Sequence, residues 1–287
     1  MDIREQKIEI KAKDGRVLSG LLIEPERPRI SVVVSPAVAM RKELYLRFAR
    51  EGAARGAAVL LYDYRSQGAS TGPDIRSDLA GFSDWGRLDL PAAIDHLDRL
   101  HPDLEMTAVG HSVGGWLVGL AENHQRISRH AFICVGWGHW KLKPPWYIPV
   151  ELTFWYVHGP LCIKLFGHIP KGGPWQGEPI NPKLFAEWKA WCHTPKCEAS
   201  FMAGGPGQPH FFDQVTAPIR SFAYHDDPIA NQRSVPMLLE VYSKAEHETV
   251  WASPKDFGLK KIGHQGLFSG KAAKAWAPVW DWAVPAE

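Results

Sequence analysis

The pentapeptide Gly110-His111-Ser112-Val113-Gly114 has the form G-x-S-x-G and stands between an apolar run, Met106 to Val109, and a helical pattern that starts near Gly115. As a string it is a modest signal; its place between strand and helix gives it weight. A strand that turns directly into a helix forces the corner residue into a strained backbone region, where only small neighbours fit. The corner lifts the Ser112 hydroxyl above the carboxyl edge of the sheet. The helix that follows aims its first N–H groups and its positive dipole end at the same spot. A nucleophile and an anion site are thus built together, as acyl transfer requires.

A serine hydroxyl is a weak nucleophile at neutral pH and needs a base. Of the 13 histidines, His264 is selected by position, on the Gly-flanked stretch Gly263-His264-Gln265-Gly266 between the last apolar strand run and the C-terminal helix. His111 adjoins the nucleophile, but neighbours on a sharp turn point apart, so packing is its expected role. His225 and His247 are weaker alternatives, and His139, His158, His168, His193 and His210 read as structural or substrate-facing. The base needs an acceptor that fixes its tautomer and stabilises the imidazolium. SFAYHDDPIA supplies two carboxylates after the apolar run Ile219 to Tyr224. Asp227, which precedes Pro228, is preferred and Asp226 is its rival; either could instead cap the helix starting near Ala230. The oxyanion needs preorganised donors. The N–H of Val113 is one; the second is sought in Ser35-Pro36-Ala37-Val38, where Pro36 has no N–H, Ala37 is the choice and Val38 the alternative.

The elements that must position these groups follow from hydrophobic pattern. Alternation at Ile8 and Ile10, then Val17 to Ile23 across the turn Lys13-Asp14-Gly15, predicts an antiparallel hairpin. Apolar runs at Ile30 to Val34, Ala57 to Tyr62, Met106 to Val109 and Phe132 to Val135 alternate with helical patterns at Glu43 to Ala54, Trp85 to Leu100 and Trp116 to Leu120. Such alternation predicts an α/β fold, a mostly parallel sheet with helices on both faces. From Gly136 to Phe212 the rhythm breaks, and seven of the 13 Trp fall between Trp137 and Trp191. That stretch, 136–212, is expected to form a cap inserted into a core made of 1–135 and 213–287. The rhythm returns with strands at Ile219 to Tyr224 and Thr249 to Ala252 and helices at Val235 to Tyr242 and Ala272 to Trp282.

Composition excludes other classes. With 33 Lys and Arg against 31 Asp and Glu, the net charge of +2 and the absence of a basic block leave little attraction for nucleic acid. The charged N-terminus lacks a secretory apolar core, so a cytoplasmic location is expected. Trp146 to Phe166 approaches the length of a membrane span, but Pro149, Glu151, His158, Gly159, Pro160 and Lys164 interrupt it, and a cap helix pair is the expected structure. Four cysteines are too few for a disulfide framework, and Cys192, His193 and Cys197 match no common zinc spacing.

Taken together, the elbow Gly110 to Gly114, the acid loop at Asp227 and the late His264 resemble the α/β-hydrolase superfamily over almost the whole chain, and the order Ser, Asp, His is the one that superfamily uses. Asp63-Tyr64-Arg65-Ser66-Gln67-Gly68-Ala69-Ser70 resembles a segment of serine-aminopeptidase-like and lysophospholipase-like members, with Ser66 where those members usually have Gly. Gly177-Glu178-Pro179, Glu187-Trp188 and Ile262-Gly263-His264 are similar to a branch of uncharacterised bacterial hydrolases with a Trp-rich cap. Ser35-Pro36 stands where many relatives have His-Gly, which bears on the second oxyanion donor. The resemblance implies acyl transfer to Ser112 followed by hydrolysis, with no metal or organic cofactor. The expected substrate is a small molecule, an ester or thioester with an apolar acyl group. The alternatives are an acyltransferase or peptidase using the same residues, and a ligand-binding protein on the same scaffold.

Overall fold

The computed structural model describes residues 2–205 and 207–286. Met1, Pro206 and Glu287, which the expected core and cap ranges include, lie outside the described residues. Eight strands form one sheet in the order β1-β2-β4-β3-β5-β6-β7-β8. β1 (Ile3–Lys11) and β2 (Val17–Pro25) are the antiparallel hairpin, and β2 pairs antiparallel with β4 (Ala57–Tyr62). β3 (Ile30–Ser35), β4, β5 (Met106–His111), β6 (Ile127–Ile133), β7 (Ile219–Tyr224) and β8 (His247–Ala252) run parallel. Every residue of β3, β4 and β5 is buried, and strands covered on both faces read as continuous apolar runs.

Helices cover both faces. α1 (Leu46–Ala54) packs on α10 (Ala277–Ala283), where the rings of Phe48 and Trp280 stack 4.4 Å apart and a Cβ at Gly52 would collide with the Trp280 indole. The single turn α2 (Phe82–Asp84) leads through a π-turn into α3 (Leu90–Leu100), and α4 (Val113–Trp116) follows β5 at once. After β6 come α5 (Ile148–Thr153), a π-turn, α6 (Gly159–Phe166), α7 (Pro182–His193) and α8 (Ala199–Met202), with α9 (Ser234–Leu239) between β7 and β8. No helix among the described residues is long and apolar enough to cross a membrane.

Several expected elements shift. The strand expected at Phe132 to Val135 begins at Ile127 and ends at Ile133, because Cys134 takes a positive φ of 53° that turns the chain out of the sheet. The helix expected from Glu43 opens as a 3-10 turn, Lys42–Tyr45, before α1. The helix expected at Trp116 to Leu120 instead starts at Val113 and tightens to 3-10 at Leu117–Leu120. Between β3 and β5 the strand order reverses direction, and crevices at such switch points, beyond the carboxyl ends of the strands, are where open α/β sheets hold ligands.

Candidate active site

Ser112 stands on the corner between β5 and α4 with a φ of 52°. A non-glycine residue in that region stores about 1–3 kcal/mol of strain, so the surroundings must hold it there. Ser112 N–H donates to the Ile133 carbonyl at 2.9 Å and the Ser112 carbonyl accepts from Gly115 N–H at 3.0 Å. The neighbouring glycines are required by contact rather than by their own dihedrals. A Cβ at Gly110 would strike the backbone of Gly115, and one at Gly114 would strike the Ser35 and Pro36 carbonyl oxygens.

The structure brings Ser112, His264 and Asp227 together. Ser112 Oγ lies 2.9 Å from His264 Nε2, and His264 Nδ1 lies 2.8 Å from Asp227 Oδ2. Burial opposes ionisation of Asp227, yet the His264 ring and the N–H groups of Ile229 and Ala230, which donate to Oδ1, hold its carboxyl below the usual carboxylate value. Asp227 therefore contacts the imidazole and caps the following turn at once. Asp226 instead accepts the N–H groups of Ile262 and Gly263 at 2.8 and 3.0 Å, which anchors the loop carrying His264. His247 begins β8 at the opposite sheet edge, and His225 stacks on Trp251.

Two assignments change. The N–H of Ala37 is spent on the Tyr45 hydroxyl at 2.9 Å, so Ala37 is corrected as an oxyanion donor. Val38 N–H has no acceptor among the described residues, and Val38 lines the same cavity as Ser112 and Val113. His111 does more than pack. Its Nε2–H donates to the His264 carbonyl at 2.7 Å, and its Nδ1 accepts from Tyr45 Oη at 2.8 Å. A carbonyl can only accept, so Nε2 carries the proton and Nδ1 is the acceptor of a neutral ring. Burial, with the His264 ring adding to it, pushes the His111 pKa down to about 3. Helical or strand periodicity could not signal this role; the adjacency of His111 to Ser112 was the available clue.

The Asp63 to Ser70 segment is structural. Asp63 accepts from Lys42 N–H and Nζ at 2.7 and 2.6 Å, and Arg65 Nε donates to Asp89 at 2.7 Å. Ser66 has a φ of 61°, which explains why glycine suits that position in similar proteins, and its hydroxyl donates to the Asp78 carbonyl at 2.6 Å. Glu178 N–H donates to the Ala39 carbonyl at 2.8 Å, and Glu187 accepts from Phe82 N–H at 2.7 Å, so both motifs fasten the segment between β6 and β7 to the core.

A cavity of about 660 Å³ opens beside Ser112 and His264, walled chiefly by Trp116, Phe154, Trp155, Trp188 and Trp191. Trp191 stacks on Trp116 with centroids 3.9 Å apart, joining α7 to the end of α4. Among the described residues, Cys134, Asp227 and His264 are the one group of potential metal ligands with atoms within 4.8 Å of one another. The Asp227 and His264 atoms of this group already bond each other and Ser112, and burial pushes the Cys134 thiol up, away from the thiolate a metal would need.

An eight-stranded, mostly parallel sheet with a serine on the elbow after the fifth strand is the architecture of the α/β-hydrolase fold. Residues 26–157 match the family Hydrolase_4, described as serine aminopeptidase, S33. No curated protein matches the chain. Among solved structures, that of DcsB in complex with its substrate analogue is similar with a TM-score of 0.66 at 15% identity, over 98% of this chain and 100% of that one. An esterase of Pyrococcus furiosus gives 0.62 at 14% identity over 98% and 90%. The esterase domain of a Rhodothermus marinus protein gives 0.57 at 17% over 98% of both chains.

Proposed function

We propose that the protein is a serine hydrolase of carboxylic esters or thioesters that works through an acyl-enzyme on Ser112. The observation that carries this reading is the unbroken line from Asp227 through His264 to Ser112, opening into the aromatic cavity. His264 Nε2 takes the hydroxyl proton as Oγ attacks the carbonyl carbon, and Asp227 stabilises the imidazolium that forms. The N–H groups of Val113 and Val38 receive the oxyanion. Collapse of the intermediate expels the alcohol or thiol, which leaves with the proton from Nε2. Water then attacks the acyl-enzyme, gives its proton to Nε2, and the carboxylic acid departs as Ser112 regains its proton. In this reading residues 136–212 act as a cap that encloses an apolar acyl group, and the esterase names of two structural relatives support the choice of bond.

A fluorophosphonate probe is expected to label the wild-type protein and spare Ser112→Ala; equal labelling of both ends the proposal. A panel of esters and thioesters of graded chain length, run beside amine and alcohol acceptors and short peptides, then separates hydrolysis from acyl transfer and from peptidase activity.

A further inference from the structure

The aromatic cavity contains two charged side chains that the acyl-transfer scheme does not use. Lys143 and Glu151 both line it, and they are only 3% and 8% exposed. Lys143 follows a 3-10 turn, Trp140–Leu142, that is fixed to the loop beyond Asp227: the Leu142 carbonyl accepts from Asn231 Nδ2 at 2.9 Å and the Lys141 carbonyl from Arg233 at 3.2 Å. Its backbone is therefore held in place. Its ammonium is not, since no carboxylate oxygen among the described residues lies within 4.0 Å of Nζ and no hydrogen-bond acceptor reaches it. Glu151 Oε1 accepts from Trp155 Nε1 at 3.3 Å, while Oε2 is buried without a partner.

An ammonium set in a mostly aromatic cavity, with Glu151 near enough to act on it but outside ion-pair distance, is incompletely compensated. An anion arriving from solution would restore the missing contacts in a setting where Coulomb attraction is strong. We propose that Lys143 is a specificity-determining residue that selects substrates carrying a carboxylate apart from the bond that is cleaved. Burial pushes the Glu151 carboxyl up, with the Lys143 ammonium acting against it, which lowers the cost of protonating Glu151 when a second anion enters. The inference rests on the hydrolase reading and narrows it from apolar acyl esters to amphipathic ones, with a carboxylate at one place in an otherwise apolar molecule.

The test compares mono-para-nitrophenyl adipate with para-nitrophenyl hexanoate, which share an acyl length and differ in the terminal carboxylate. A second arm compares the hexanoate esters of para-hydroxybenzoate and phenol, which place the carboxylate on the leaving group. In Lys143→Met the ratio of kcat/KM for the charged over the neutral member of one pair is expected to fall about 30-fold or more relative to wild type. Lys143→Arg is expected to restore part of it, and Glu151→Gln to keep or raise it. The pair that responds identifies which side of the bond carries the carboxylate. Unchanged ratios in both arms overturn the proposal, as does a ratio that collapses in Glu151→Gln alone, which would mark a site for a cation. If wild type turns over none of the esters, binding of adipate and of hexanoate to Ser112→Ala, followed by tryptophan fluorescence, takes the place of the kinetic ratio. Loss of adipate preference on adding Lys143→Met then supports the carboxylate site even where the hydrolase reading has failed, and equal affinities with and without Lys143 overturn it.

Discussion

His111 Nε2–H donates to the backbone carbonyl of His264 across 2.7 Å, so the residue before Ser112, the proposed nucleophile, holds the main chain of the residue proposed as its base. The same ring is braced from behind by Tyr45, whose hydroxyl receives the N–H of Ala37 at the end of β3. The exits of β3 and β5 and the late histidine loop are thereby joined through one neutral imidazole, and the distance from Ser112 to His264 depends on it.

Ser112→Ala and His264→Ala are each expected to lose about 10⁴-fold or more in kcat with little change in stability. Steady-state kinetics on an activated ester, with thermal unfolding as the control, checks both. A loss below tenfold in either would remove that residue from the scheme.

The two adjacent carboxylates separate by kind. Asp227→Asn removes the acceptor of His264 Nδ1–H and is expected to cost about 10⁴-fold in kcat with the fold retained. Asp226→Asn weakens only the bonds to Ile262 and Gly263 N–H. Its expected cost is about 0.5–3 kcal/mol of stability, the range for losing hydrogen bonds to a charged group, with a far smaller change in kcat. Reversal of the two effects would exchange their roles.

His111→Phe deletes both ring hydrogen bonds and leaves the Tyr45 hydroxyl and the His264 carbonyl unsatisfied. We expect a loss of about 1–3 kcal/mol in stability and a fall in kcat, with the shape of the pH–rate profile retained because His111 does not itself exchange the proton. A changed profile would show that His111 titrates during turnover.

Stability is expected to decline as pH falls below about 6.5, the ordinary histidine value. Burial pushes His111 and His130 down to about 3, so both stay neutral in the folded protein while the unfolded chain takes up the protons. Their contribution is thus fully present above the unfolded value and is lost on the way down toward pH 3, by up to about 1.4 kcal/mol per pH unit for each ring. Both ring nitrogens of His130 are buried without partners, so His130→Leu is expected to stabilise the protein at pH 5 and flatten this slope. Urea midpoints measured at several pH values decide the matter.

Gly114→Ala is expected to destabilise by about 1–3 kcal/mol or to abolish folding, since its Cβ would meet backbone oxygens of Ser35 and Pro36 that cannot swing aside as a side chain can. Wild-type stability in that variant would mean the elbow packs more loosely against β3 than the structure has it.

Sequence alone was enough for whatever depends on short stretches of chain. The hairpin, the parallel strands β4 and β7 at both their ends, and the corner at Ser112 follow from periodicity, turn residues and small neighbours, because each is set by the backbone geometry of a short, continuous stretch. The grouping of Ser112, Asp227 and His264 was legible because the α/β-hydrolase fold brings those loops to one sheet edge. Tertiary structure decided the matters that hinge on single hydrogen bonds between distant segments. Tyr45 takes the Ala37 N–H, eight residues away, and leaves Val38 as the donor proposed for the oxyanion. The choice between Asp227 and Asp226 turns on which carboxylate points at residue 264 and which at the backbone beside it. Lys143 and Glu151 read in sequence as ordinary charges within a Trp-rich stretch, and only the tertiary structure buries them in the cavity that Ser112 also lines. A local pattern fixes which way a chain bends, but the partner of a buried polar group is chosen by whatever the rest of the fold carries to within about 3 Å of it.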